Sequence, residues 1–257
     1  MLTSPFALGA AVFVLALGAG VLPLWLRFGQ RTLHAVVAAA SGLFLGITFL
    51  HLLPELAARD HTWKLWSCVL VGVLAVFLAE VMLRHDRDEH DEEHGGEHPA
   101  HHGGHRVVGI ATFVGLSIHT LGGALALGLG RTDSELHATL AAATLVHKSA
   151  EAFSLASVLL LAELPRKAIA RLLVAYALVT PAGIAIGRAL MGVIPGDALD
   201  PATDIASGLA AGTFLYVAVA ELLPEVFHGT ADRGLKVVLI LLGIAASTLA
   251  FARSGAG

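Results

Sequence analysis

Polar and apolar positions along this chain fall in long blocks, not in the short alternation of strands. Apolar runs cover about 5–26, 33–56, 65–83, 107–130, 136–161, 168–192, 203–227 and 235–252, each near the ~20 residues that carry an α-helix across a hydrocarbon core. In lipid a helix satisfies its own backbone, so the pattern predicts an all-α membrane protein with about eight transmembrane helices. One longer hydrophilic stretch, at 85–105, interrupts the blocks between the third and fourth runs. The remaining connections are short.

Two apolar runs end in related hexapeptides, "HLLPEL" at 51–56 and "ELLPEV" at 221–226, offset by 170 positions. With eight spans, the second and the seventh end on opposite membrane faces, so the two copies point in opposite directions. Oppositely oriented related units are the mark of inverted-repeat carriers, whose substrate sites lie near the midplane between the repeats. A second reading is that Leu-Leu-Pro-Glu breaks a helix at a membrane surface. The repeat reading predicts helices 1–3 and 6–8 arranged around a central pair 4–5. The expected organisation is helices one to three at 1–84, a His- and acid-rich loop at 85–105, central helices four and five at 106–162, and helices six to eight at 163–257.

Composition agrees with a membrane protein: 56% of residues are hydrophobic and 14% charged, against roughly 25% charged in soluble domains. The first run has neither a basic leader nor a small-residue cleavage site, so a retained span is expected. Cys68 is the single cysteine, which excludes an intrachain disulfide framework and a cysteine-rich metal site. A net charge of −4 gives no reason to expect nucleic acid. With the N-terminus outside, ten Lys and Arg fall in cytoplasmic segments and five on the other side. That excess favours both termini outside. Twelve Arg against four Lys, with abundant Ala and Gly, is compatible with a bacterial inner membrane.

The hydrophilic stretch "RHDRDEHDEEHGGEHPAHHGGH" at 84–105 holds seven of the fourteen histidines: His85, His90, His94, His98, His101, His102 and His105. With so few apolar residues it is expected to be disordered. Its imidazoles and carboxylates offer transient sites for zinc-like cations, the other reading being a solvated linker. Inside the spans, "HTLGGALALG" at 119–128 and "HKSAEAFSLA" at 147–156 carry ionisable groups at mid-depth. Such groups are costly in lipid and default to functional hypotheses. His147 and Glu151, spaced i,i+4, project from one helix face, and a short connection makes helices four and five neighbours. His119, His147 and Glu151 are therefore the candidate metal ligands, two imidazoles and a carboxylate suited to Zn²⁺. Gly122, Gly123, Ala124 and Ala126 are expected to let neighbouring backbones approach. Lys148 repels a metal unless its stem turns away, to a carboxylate or to the interface.

These segments resemble the Zrt/Irt-like (ZIP) divalent metal transporters. The resemblance rests on "GLFLGITFLHLLPEL" in span two, "HKSAEAFSLA" in span five, "TPAGIAIG" in span six and "AAGTFLYVAVAELLPEV" in span seven. It implies eight spans, outward termini and a His-rich cytoplasmic loop. It also implies passage of zinc or another divalent transition metal, as transported substrate, towards the cytoplasm. An elevator-like shift of spans 1, 4, 5 and 6 against 2, 3, 7 and 8, and a homodimer in membrane lipid, are implied as well. In span four the family pattern has an acidic residue where this chain has Gly123, and glycine where it has Ala124. In span six Thr180 stands where two-metal members have an acid before proline. The resemblance thus implies a one-metal carrier with a reduced primary site. His51 and Glu55 outside, and Glu221, Glu225 and His228 inside, are candidate entry and exit relay ligands. Their other role is to end helices at the polar interface. Asp204 is a candidate for attracting cations at the outer face.

Two other classes stay open on the sequence. An intramembrane metal-dependent hydrolase also buries His and Glu, but the chain has no HExxH pair and no GxSxG serine. A metal sensor descended from a carrier is compatible with glycine at position 123.

Overall fold

The computed structural model describes residues 4–26, 28–59, 63–93, 101–129, 134–227 and 232–252. Their regular structure is helical. We number the helices α1 (Pro5–Leu26), α2 (Gln30–Ile47, continuing below), α3 (Trp63–Glu93), α4 (His101–Leu129), α5 (Ser134–Leu161), α6 (Arg166–Met191), α7 (Leu199–Tyr216, continuing below) and α8 (Arg233–Ala252). Each matches one apolar run of the sequence. Six of them, α1 to α4, α6 and α7, include stretches long and apolar enough to cross a membrane.

Both repeated hexapeptides lie within helix. The chain passes from α2 through a π-helical segment, Thr48–Leu52, into a further helix, Leu53–Arg59. From α7 it passes through Val217–Leu222 into Leu223–Val226. The amide of Leu53 bonds back to the carbonyl of Thr48, five residues earlier. Proline has no amide hydrogen for the helical ladder, and a wider turn just before it lets the helix continue. The prolines therefore do not terminate these helices. Glu221 and Glu225 are buried within the helix packing.

Packing pairs come in matched sets. Helix α1 packs on α5 and α6 on α4; α2 packs on α8 and α7 on α3; α2 meets α5 and α7 meets α4. Exchanging one with six, two with seven, three with eight and four with five turns each contact into another of the set. The 170-residue offset recurs at the closest approaches. A side chain at Gly42 of α2 would collide with the Ile240 backbone of α8, and one at Gly212 of α7 with the Val69 backbone of α3. Phe44 and Phe214, again 170 apart, meet ring to ring with centroids at 4.8 Å. Small residues at such crossings give the close backbone contact that van der Waals packing in lipid requires.

Two groups of helices result. One contains α1, α4, α5 and α6; Arg166 ties it at one end by donating from Nη1 to the Leu24 carbonyl at 2.7 Å. The other contains α2, α3, α7 and α8. Helix α4 lies along α7 and forms a large part of the contact between them.

The hydrophilic stretch departs from the expectation of disorder. Helix α3 extends through Glu93 and α4 begins at His101, so 85–93 and 101–105 are helical. A helix already nucleated in the membrane adds further turns without repeating the nucleation cost. His94 and His98 lie outside the described residues, as does His228.

Candidate metal site

His119 on α4 and His147 and Glu151 on α5 converge. One ligand atom from each lies within 4.8 Å of the others. Glu151 Oε1 stands 3.3 Å from His119 Nε2 and 4.0 Å from His147 Nε2. Two ligands on a tetrahedral zinc, each about 2.0–2.1 Å from the ion, are separated by roughly 3.4 Å. The first pair already has that spacing, and the second needs a shift of only about half an ångström. Glu151 is fully buried, His119 nearly so, and His147 keeps an accessible edge.

The two oxygens of Glu151 have different partners. Oε2 accepts from Lys148 Nζ at 2.5 Å and from the Tyr176 hydroxyl at 2.5 Å. Lys148 also donates to Thr120 Oγ1 at 2.8 Å, and Thr120 lies 3.2 Å from the Tyr176 hydroxyl. Lys148 thus turns towards a carboxylate, and that carboxylate is the candidate ligand itself. Oε1 faces the two imidazoles and lies nearest His119 Nε2.

His119 is oriented from the other side. Its Nδ1 lies 2.8 Å from the Ala210 carbonyl of α7, and its ring stacks on Phe214 at 4.3 Å. A carbonyl only accepts, so Nδ1 carries a hydrogen, and Nε2 is the ring nitrogen that faces Glu151 Oε1. Nε2 and Oε1 stand 3.3 Å apart, a spacing that a shared ion accommodates. A divalent metal satisfies both, with His147 as third ligand and water as fourth.

Glycine 123 sits one helical turn after His119. A Cβ there would meet nothing within 4 Å. This corrects the expectation that Gly123 brings backbones together. Gly122 does so: its Cβ would lie 2.9 Å from both the Ala206 carbonyl oxygen and the Ala210 Cβ of α7. Ala124 sits against Gly183 of α6. The small residues of α4 therefore divide into positions that seat neighbouring helices, Gly122 and Ala124, and one, Gly123, where a side chain would meet open space.

The remaining candidates are spread through the fold. His51 is half-buried in the π-helical segment of α2, Glu55 is exposed beyond it, and Asp204 is half-buried in α7. None belongs to the three-residue cluster, nor do Glu221 and Glu225. Tyr176, Phe214 and the Ala210 carbonyl were missed by sequence reasoning. Tyr176 carried a signal: it is one of two tyrosines, and it lies one turn before the Thr180–Pro181 motif of span six. Tyr216, the other, donates to Glu80 of α3 at 2.5 Å and was also missed.

Against known proteins, the family model described as ZIP Zinc transporter matches residues 83–250. The chain belongs to the ZIP zinc transporter family. Mouse "Zinc transporter ZIP1" is 31% identical over 255 residues, covering 86% of this chain and 78% of that protein. "Zinc transporter ZIP9-B" of Xenopus laevis is 28% identical over 261 residues, covering 87% and 85%. "Zinc transporter ZIP1" of Takifugu rubripes is 39% identical over 132 residues, and there the chain spans 43% of the relative's length. ZIP relatives bearing these names are transporters and not enzymes, which sets the hydrolase reading aside.

Proposed function

We propose that this ZIP protein carries zinc, or a similar divalent transition metal, across a membrane towards the cytoplasm, with His119, His147 and Glu151 as the transport site. The observation that carries the reading is the convergence of three potential ligand atoms within 4.8 Å around a fully buried carboxylate. Ionisable groups at this depth are costly, and a cation between the imidazoles and the carboxylate offsets that cost. The site supplies one formal negative charge, already shared with Lys148, so binding is expected to be weak. Weak binding suits a carrier, because an ion must leave as well as enter.

The matched helix contacts and the 170-residue offset support two inverted repeats, 1–84 and 163–257, around the central helices of 106–162. The proposed movement is of α1, α4, α5 and α6 against α2, α3, α7 and α8. On this reading His51, Glu55 and Asp204 serve ion entry, Glu221, Glu225 and His228 serve exit, and the histidines of 85–105 capture metal at the cytoplasmic face. Both termini lie outside by the distribution of Lys and Arg.

Zinc flux into vesicles reconstituted with the purified protein tests the proposal. Glu151→Ala and His147→Ala should each abolish flux while leaving the protein folded. Wild-type flux in both would sink the site assignment.

A further inference from the structure

The two buried ligands are held from different helix groups. Glu151 is fixed by Lys148 of its own helix and Tyr176 of α6. His119 is fixed across the α4–α7 contact, by the Ala210 carbonyl and the face of Phe214. Both supports on α7 are themselves well anchored. The Ala210 carbonyl also accepts from Thr213 Oγ1 at 2.9 Å, and Phe214, fully buried, packs against the tilted ring of Phe44 of α2. Gly122 makes this approach feasible, since a Cβ there would press on Ala206 and Ala210 at 2.9 Å.

We propose that Phe214 and the Ala210 carbonyl are the positioning groups of His119, so that the site holds its ion firmly only while α4 lies against α7. The inference rests on the reading of His119 as a ligand. The carbonyl selects the tautomer with hydrogen on Nδ1 and leaves Nε2 free for metal. The Phe214 ring limits rotation of the imidazole, so Nε2 stays aimed at Glu151 Oε1. Separation of α4 from α7 removes both constraints in one step. His119 then samples other rotamers and the other tautomer, while Glu151 keeps Lys148 and Tyr176. Loss of one aimed ligand lowers affinity, and release is thereby linked to helix movement without any change in the ligands themselves.

Zinc binding by the full chain in lipid nanodiscs, measured by isothermal titration, tests this with Phe214→Leu, Gly122→Ala, His119→Ala and the Phe214→Leu/His119→Ala pair. Phe214→Leu and Gly122→Ala should each weaken zinc binding by about tenfold, the lower end of what loss of a group orienting a metal ligand costs. Phe214→Leu should have no further effect once His119 is alanine. If His119→Ala binds zinc as wild type does, the ligand reading falls and this proposal with it. If His119→Ala loses affinity while folded Phe214→Leu and Gly122→Ala keep it, the positioning proposal alone is overturned. An equal Phe214→Leu effect with and without His119 also overturns it, because the effect would then be structural. Histidine ¹⁵N spectra of the metal-free wild type provide a check independent of any variant's folding. The His119 signal should report hydrogen on Nδ1, and hydrogen on Nε2 in its place would overturn the proposal.

Discussion

Lys148 follows a candidate ligand directly in the sequence, yet its ammonium is satisfied by Glu151 Oε2 and Thr120. Removing one partner of a buried ion pair leaves the other charge uncompensated, at a cost on the order of 3 kcal/mol. Lys148→Ala should therefore lower the melting temperature of the metal-free protein. It should also increase the rise produced by zinc, because the ion then supplies the missing positive charge. Thermal unfolding with and without zinc reads both effects, and an unchanged zinc-induced rise would count against them. Gly123 offers the complementary test, since its Cβ direction is open. Gly123→Glu adds a carboxylate one turn from His119, and zinc binding should tighten by about tenfold, roughly 1.4 kcal/mol. Unchanged affinity in the folded variant would mean that position 123 does not face the ion.

At the scale of helices, glycine governs how closely two of them cross. Gly212 of α7 lies against the Val69 backbone of α3, and Gly72 of α3 lies beside Gly212. A methyl group at position 212 has no space without separating the helices, and overpacking of this kind costs about 1–3 kcal/mol. Gly212→Ala should accordingly lower the melting temperature in detergent. Gly18→Ala on α1, where a Cβ would meet nothing within 4 Å, should be neutral or slightly stabilising. Equal melting temperatures for the two variants would contradict the packing argument. The π-helical segments at Thr48–Leu52 and Val217–Leu222 belong to the same scale. They carry both helices past their prolines, so the carboxylates beyond stay on continuous helix and not in a loop.

For the molecule as a whole, the hydrophilic stretch and the central site lie in different parts of the chain. The histidines of 85–105 precede the apolar part of α4, whereas His119, His147 and Glu151 cluster inside the helix bundle. Deletion of 85–105 should leave zinc flux measurable while changing its apparent affinity or regulation. Complete loss of flux by a correctly inserted deletion protein would show that the segment shapes the transport route.

The number of helices and the grouping of His119, His147 and Glu151 were legible in the sequence, whereas the ends of α3 and α4 in the hydrophilic stretch were not. A run of about 20 apolar residues has one stable form in lipid. The i,i+4 spacing of His147 and Glu151 puts them on one helix face wherever that helix packs. The 170-residue offset of the hexapeptides likewise anticipated the matched glycine and phenylalanine positions. Other features depended on which helices touch. Gly122 and Gly123 are identical neighbours in the sequence, yet one is pressed against α7 and the other faces open space. Tyr176 lies 25 positions from Glu151, and the Ala210 carbonyl lies 91 from His119. A backbone carbonyl has no signature in a sequence. Its role came into being only when α7 was laid against α4, because a hydrogen bond is decided by the position and direction of two atoms and not by the residues that carry them.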